Sequence, residues 1–425
     1  TVMYNGNISG MKWKNGGSGS TQKGYGFIYD QLNRLTTSKY GEGTSYTTNV
    51  SRYDENLTYD KNGNIRKLYR NGQISTGVFG NIDSLGYKYP GTGNQVWAIG
   101  DIVTDVAGRG DFFDGTNVYT TKEYYYDKNG NIWLDRNKKM KTLYNYLDLP
   151  SRVSDTITPA NKIEYVYTSA GEKLKQRLST GTTLLYFGNY VYTLDGTANG
   201  IAVKYILTRE GRATYSAGAF TYEYFMKDHL GNTRISFNVP SSTAVIVQQS
   251  DYYPFGMIHQ PQATTTSDNR YLFNGKELQN NLLGGINLDL YDYSKRFMDP
   301  QIGRFTTVDR DAENYFPISV YAYVSNNPII YIDPDGKRIV DAKGNVVYTQ
   351  SQGWSKNASE GAIRIGNAMM KTQVGKEIFN IMVDASYSVT LTLKSGISEN
   401  KDLGTMDPTY DKYDKNKLIW ADIVI

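Results

Sequence analysis

A short unit built on Tyr-Asp and a Gly-Asn turn recurs along the chain, and it restricts the fold more than any other feature. It reads Tyr59-Asp60-Lys61-Asn62-Gly63-Asn64-Ile65 and again Tyr126-Asp127-Lys128-Asn129-Gly130-Asn131-Ile132. Looser copies are Tyr29-Asp30-Gln31-Leu32-Asn33-Arg34-Leu35, Tyr144-Asn145-Tyr146-Leu147-Asp148-Leu149-Pro150 and Tyr165-Val166-Tyr167-Thr168-Ser169-Ala170-Gly171. From Tyr126 to Tyr146 is 20 residues and from Tyr146 to Tyr167 is 21. Tyr-x-Tyr alternation puts aromatic rings on one face of a strand. Asn-Gly predicts a two-residue type I′ hairpin turn with both central residues at positive φ, and the preceding Asp can accept hydrogen bonds from the turn amides. One such hairpin cannot bury its aromatic face alone, so consecutive units must pair edge to edge into a long sheet. Residues 77–110 and 240–270 hold the least regular stretches and are expected to be insertions or loops at the sheet edge.

Composition agrees with an all-β chain of many short hairpins: 38 Tyr against 14 Phe, with 42 Gly and 11 Pro. The net charge of +4 is mild and mixed along the chain, which excludes the basic stripe of a nucleic-acid binder. No apolar run is long enough to span a membrane. The N-terminus lacks the pattern of a signal peptide and reads as a start inside a larger chain. Without Cys there are no disulfides or thiolate metal sites, and the two His residues, His229 and His259, lie in different segments. Neither a His-rich metal site nor a His-based catalytic triad is expected, and no cofactor is implied. His229, within Asp-His-Leu-Gly-Asn, reads as a turn residue.

The Tyr-Asp unit resembles the YD repeats of the Rhs family, which includes bacterial polymorphic toxins, C subunits of insecticidal toxin complexes and the extracellular shells of teneurins. A stronger resemblance follows. The chain reads Tyr222-Glu-Tyr-Phe-Met-Lys-Asp-His-Leu-Gly-Asn-Thr-Arg234, Asp251-Tyr-Tyr-Pro-Phe-Gly256 and Tyr271-Leu-Phe-Asn-Gly-Lys-Glu277. Then come Leu290-Tyr-Asp-Tyr-Ser-Lys-Arg-Phe-Met-Asp-Pro-Gln-Ile-Gly-Arg-Phe305, Tyr321-Ala-Tyr-Val-Ser-Asn-Asn-Pro328 and Asp333-Pro-Asp-Gly336. In this order they resemble the Rhs repeat-associated core, in wording similar to Bacteroidetes versions. The resemblance implies a winding antiparallel β-hairpin strip, part of a hollow shell, with a plug closing one end. It divides the chain into repeats (1–221), core and plug (222–337) and a variable C-terminal tip (338–425). Complete shells use far longer chains, so the chain is expected to be a fragment.

In many members of that family the core ends in an aspartyl autoprotease that cuts after an Asp-Pro-x-Gly segment. Two carboxylates held close can share a proton, one activating water while the other polarises the carbonyl. Here Asn327-Pro328, four residues, then Asp333-Pro334-Asp335-Gly336 matches the motif, which makes Asp333 one candidate catalytic residue and Gly336–Lys337 the cleavage junction. An earlier Asp-Pro-x-Gly is replaced by Val308-Asp309-Arg310-Asp311, so Asp309 is the best match for the second carboxylate and Asp311 the fallback. The usual Leu after the last Gly is Lys337. The competing reading is a purely structural turn, because Asp-Pro-Asp-Gly suits one well.

Beyond Lys337 the repeat pattern stops, and a small α+β domain is expected. It comprises a hairpin about Lys343-Gly344-Asn345, a capped helix after Asn357, a second helix after Gly375, and strands at 387–393 and 418–425. It vaguely resembles the start of zincin-like metallopeptidase tips, but His-Glu-x-x-His does not occur. No catalytic residue is assigned there, and the domain, ending within an apolar strand, is expected to be incomplete. The function implied is the encapsulating shell of a secreted or cell-surface bacterial toxin used in interbacterial competition. Its partners would be its own tip as cargo, an immunity protein from a neighbouring gene and a secretion machinery. The alternative is a carbohydrate-binding or adhesive surface protein, whose exposed rings would stack on glycans.

Overall fold

The computed structural model describes residues 7–336 apart from 16–19, 104–110, 115–120, 195–199, 261–263, 311 and 313–317. It also describes the strand pieces Tyr348–Thr349, Gly353–Trp354, Thr390–Leu393 and Ala421–Val424. Two antiparallel sheets make the wall, and in each the strands follow in chain order. The first has seven strands, from Gly10–Trp13 to Ala98–Asp101; the second has fourteen, from Tyr124–Tyr126 to Thr264–Thr265. Neither closes into a barrel. Such order is what edge-to-edge pairing of successive hairpins produces.

The repeat turns are one residue longer than a two-residue hairpin. In the unit at Tyr59, Asp60 N donates to Asn64 O and Gly63 N to Asp60 O. Asp60 Oδ1 accepts from Asn62 N and Asn64 N at 2.8 and 2.9 Å. Gly63 takes φ +79° and Gly130 +83°, whereas Asn62 and Asn129 are not in the left-handed region, and a bulge follows at Tyr59 and Tyr126. This is a wider turn closed by a glycine bulge, in place of the expected type I′ turn. The aspartate role stands: Asp127 repeats it on Asn129 N and Asn131 N, and Asp228 on Leu230 N and Asn232 N. Tyrosine hydroxyls then fasten one unit to the previous one. Tyr29 donates to Ile8 O, Tyr59 to Leu35 O, Tyr89 to Ile65 O and Tyr144 to Ile132 O. A Phe could fill the same space but could not satisfy those carbonyls.

The two stretches expected as edge loops are in part regular wall. Val78–Lys88 pairs along most of its length with Ile65–Ser75, and Val245–Gln249 pairs with Thr233–Asn238. Their polar and glycine-rich composition hid the alternation, because both partners of a strand share the burial. The second sheet runs through residue 222 without a break, and after Gln249 the chain leaves the wall and touches it again at the two-residue edge strand Thr264–Thr265.

From Ser250 onward the chain packs inside. A small four-stranded sheet is formed by Glu277–Gln279, Leu290–Asp292, Phe297–Asp299 and Arg304–Phe305. One core joins Tyr25, Phe27, Leu57, Leu68 and Tyr87 of the first sheet to Phe255, Tyr291, Phe305 and Tyr323 of this inner segment. A second joins Met140, Val153, Ile163 and Tyr165 of the other sheet to Leu283, Leu290 and Phe297. The inner segment therefore plugs the space that both sheets line. At the C-terminal end Thr390–Leu393 pairs antiparallel with Ala421–Val424, two strands expected from the sequence. The two helices and the hairpin at 338–348 fall largely outside the described residues.

Candidate autoproteolytic junction

The plug is fastened to the tips of the repeat turns, and this fixes the loop that carries Asp333. Asn327 Nδ2 donates to Asn33 O and to Asn7 Oδ1 at 2.8 and 2.9 Å; Asn326 Nδ2 donates to Gly63 O at 2.8 Å. Arg304 donates to Asn94 O and Tyr321 OH to Gly130 O, both at 2.7 Å. Lys295 Nζ reaches Ala170 O, and Asn274 Nδ2 donates to Leu230 O at 3.0 Å. Successive turns thus offer backbone carbonyls to successive polar side chains of the plug. At His229 the direction is reversed, the turn side chain donating from Nε2 to Ile329 O of the plug at 3.0 Å. The residues Val324, Ser325 and Asn326, all at positive φ, aim the two asparagines at the turns. Backbone held in that region by surrounding contacts is costly, and sites of function collect such strain.

Arg296 gathers the two candidate carboxylates. It lies between Tyr293 and Phe297, 3% exposed, with its guanidinium carbon 3.6 Å from the centre of the Phe305 ring. Its Nη2 lies 2.8 Å from Asp309 Oδ2 and 2.9 Å from Asp333 Oδ2. Its Nε donates to Gly336 O at 3.0 Å, the carbonyl of the expected cleavage junction. Asp333 Oδ1 accepts from Gly336 N at 2.7 Å and from Asp335 N at 3.3 Å, which closes the Asp-Pro-Asp-Gly turn. Burial raises the Asp333 carboxyl above its ordinary value, against the lowering pull of Arg296. Gly336 sits at φ +76°, where an added Cβ would come within 3.0 Å of Arg296 N and Tyr293 O, so only glycine fits this close approach.

Asp309 and Asp333 are therefore brought together on one guanidinium. Asp309 is oriented by its own backbone N, which donates to Val320 O at 3.0 Å. Lys337 and Asp311 lie outside the described residues. Sequence reasoning missed Arg296. Its signal was a charged residue opening a strand, Phe297–Asp299, that is otherwise wholly buried, and such a residue needs a partner. Chemically, the arrangement holds a peptide carbonyl on a cation beside two carboxylates, a constellation suited to hydrolysis of that peptide bond.

The face of the second sheet turned from the plug is different. Phe187 pairs with Tyr190 and Tyr215 with Phe220, and these rings, with Tyr222 and Tyr224, are exposed. Among the described residues no helix is long and apolar enough to cross a membrane.

No family model matches the chain. It is 28% identical over 238 residues to salivary gland surface protein 1 of Aedes aegypti, an alignment covering 51% of the chain and 7% of that protein. It is 24% identical over 325 residues to the tRNA3(Ser)-specific nuclease WapA of Bacillus spizizenii, covering 73% and 11%. It is 32% identical over 97 residues to toxin subunit YenC1 of Yersinia entomophaga, covering 22% and 9%. The chain thus spans about a tenth of the length of these curated relatives. Among solved structures it is similar to the Tc holotoxin pore of Photorhabdus luminescens, with TM-score 0.54 and 17% identity, covering 74% of this chain and 15% of that one. The crystal structure of TcdB2-TccC3-Cdc42 matches with TM-score 0.53, 18% identity, and coverage of 74% and 15%. In fold, the chain is a segment of the Rhs-like β-shell found in these toxin-complex structures.

Proposed function

We propose that this chain is the closing part of a toxin-encapsulating shell, in wording a Bacteroidetes version, which cuts itself between Gly336 and Lys337. The observation that carries the reading is the convergence of Asp309, Asp333 and Gly336 O on the one guanidinium of Arg296. In the reaction, Arg296 Nε polarises the Gly336 carbonyl and stabilises the charge that develops on its oxygen. Asp309, the more exposed carboxylate, takes a proton from water as the water oxygen adds to the carbonyl carbon. The bond from Gly336 C to Lys337 N breaks, and the leaving amine takes a proton from Asp333. Burial of Asp333 favours its protonated form, as this role requires. Cutting leaves the wall and plug intact and frees residues 337–425, the tip with Lys337 at its start, as cargo. In this reading the shell is secreted or displayed on a bacterial surface, with an immunity protein and a secretion machinery as partners, in competition between bacteria.

The test is the size of the purified protein. The wild-type chain yields two fragments, and Asp333→Asn yields one intact chain with an unchanged circular-dichroism spectrum. An uncut wild-type chain that includes residues beyond Lys337 sinks the proposal. The exposed rings at Phe187, Tyr190, Phe220 and Tyr222 favour a second reading, a glycan-binding face. Retention on immobilised glycans, lost in Tyr190→Ala with Tyr222→Ala, supports it; no retention removes it.

A further inference from the structure

The junction turn is held by a second cation besides Arg296. Lys276 Nζ donates to Pro334 O at 2.5 Å, so alternate carbonyls of the turn are each fixed by a basic side chain, Lys276 half-buried and Arg296 buried. Lys276 is itself locked. Its backbone N donates to Phe273 O and its carbonyl accepts from Leu272 N, closing a tight turn that carries Asn274 at φ +50°. Asn274 Oδ1 accepts from both Tyr293 OH and Tyr323 OH. The ammonium lies 5.3 Å from the centre of the Tyr293 ring. Its neighbour Glu277 binds Lys173 Nζ at 2.6 Å, which ties this platform to the second sheet.

A peptide plane fixed at one carbonyl still rotates about the neighbouring single bonds. Fixing Pro334 O as well as Gly336 O removes that freedom and sets the direction from which water can reach the Gly336 carbonyl carbon. We infer that Lys276 is a positioning residue for self-cleavage at Gly336, orienting the Pro334–Asp335 peptide so that the Gly336 carbonyl, two residues on, meets Arg296; this rests on the junction reading above. It touches no reacting atom, so its effect passes through the turn.

Lys276 also places a charge beside Asp333. Asp292, Asp333 and Asp335 face Lys276, while Arg296, Asp309, Asp335, Tyr293 and Tyr323 surround Asp333. Burial lowers the Lys276 ammonium and these three carboxylates support it. Removing the cation makes ionised Asp333 less favourable, so Asp333 keeps its proton to higher pH.

The experiment follows cutting of the full chain made by cell-free translation, sampled over time on gels and repeated across a pH series. Lys276→Met is expected to cut on the order of 100-fold more slowly than wild type, the scale on which small misplacements act. Its high-pH limb is expected to move upward, and Lys276→Arg is expected to restore both rate and profile. A merely structural loss lowers the rate without moving the profile, and that outcome overturns the inference. Equal cutting by wild type and Lys276→Met overturns it while leaving the junction reading intact. An uncut wild-type chain overturns both.

Discussion

Asp309 and Asp333 each place one carboxylate oxygen on the same nitrogen of Arg296, at 2.8 and 2.9 Å, although the chain between them makes the turn that docks on the first sheet. The cation is nearly buried, and it is shared among two carboxylates and one backbone carbonyl. Such an arrangement is costly to desolvate and is held together by its mutual hydrogen bonds. Its geometry therefore depends on everything that presses the plug against the wall.

Replacing Arg296 separates these roles. Arg296→Met leaves the buried Asp333 and the half-buried Asp309 without that cation, at a cost of about 3–5 kcal/mol. Arg296→Lys keeps the charge but cannot fork between carboxylates and carbonyl. Both variants are expected to remain uncut, with the larger drop in urea midpoint in Arg296→Met.

The contacts between plug and turn tips predict that remote substitutions slow the junction. Asn327→Ala removes the hydrogen bonds that its side-chain amide donates to Asn33 O and to the buried Asn7 Oδ1, each worth about 0.5–1.5 kcal/mol. Cutting is expected to slow in this variant, because these turn contacts hold the loop that carries Asp333. A cutting rate equal to wild type alongside a lowered urea midpoint would separate the turn contacts from the junction.

Arg70 is the corresponding tie deeper in the first sheet. It is fully buried, bound to Glu55 at 2.7 Å and Asp83 at 3.0 Å, and it donates to Pro300 O and Gln301 O of the plug. Arg70→Met is expected to destabilise the shell by about 3–5 kcal/mol, because it strands Glu55 and Asp83. Replacing all three by apolar residues of similar volume is expected to recover most of that loss in urea unfolding.

Acid should loosen the edge where the first strand meets the plug. Burial pushes the Asp251 carboxyl up, but Arg234 and Lys23 outweigh this and hold it at about 2. Its contribution is full above its ordinary value of 3.8 and is lost as pH falls through about 2. Burial lowers His259 from 6.5 to about 3; it stacks on Tyr53 at 4.0 Å and bonds Tyr25 OH at 2.9 Å. The unfolded chain binds that proton first, so stability is full above pH 6.5 and falls progressively toward pH 3. Urea midpoints from about pH 7 to about pH 4 should decline in wild type and decline less in His259→Gln.

Particular residues show how much of this was legible beforehand. Asp60, Gly63 and Asn64 announced a turn, because their hydrogen-bonding and backbone needs are local. The exact turn type was not legible, since the bulge at Tyr59 depends on pairing with Ile65. Asp333 and Asp309 were legible from the resemblance, and their meeting was expected. Arg296, Lys276 and Asn326 were not, because their partners lie tens or hundreds of residues away and nothing local marks a side chain as a distant clamp. The regular strand Val78–Lys88 was missed for a related reason: its glycines and asparagine weaken the alternation that pairing alone restores.

The most direct measurement is the intact mass of the purified full chain and its pieces. The account predicts a large fragment ending at Gly336 and a small one beginning at Lys337, both absent from Asp333→Asn. A single uncut mass in wild type, or a boundary elsewhere in the chain, contradicts it.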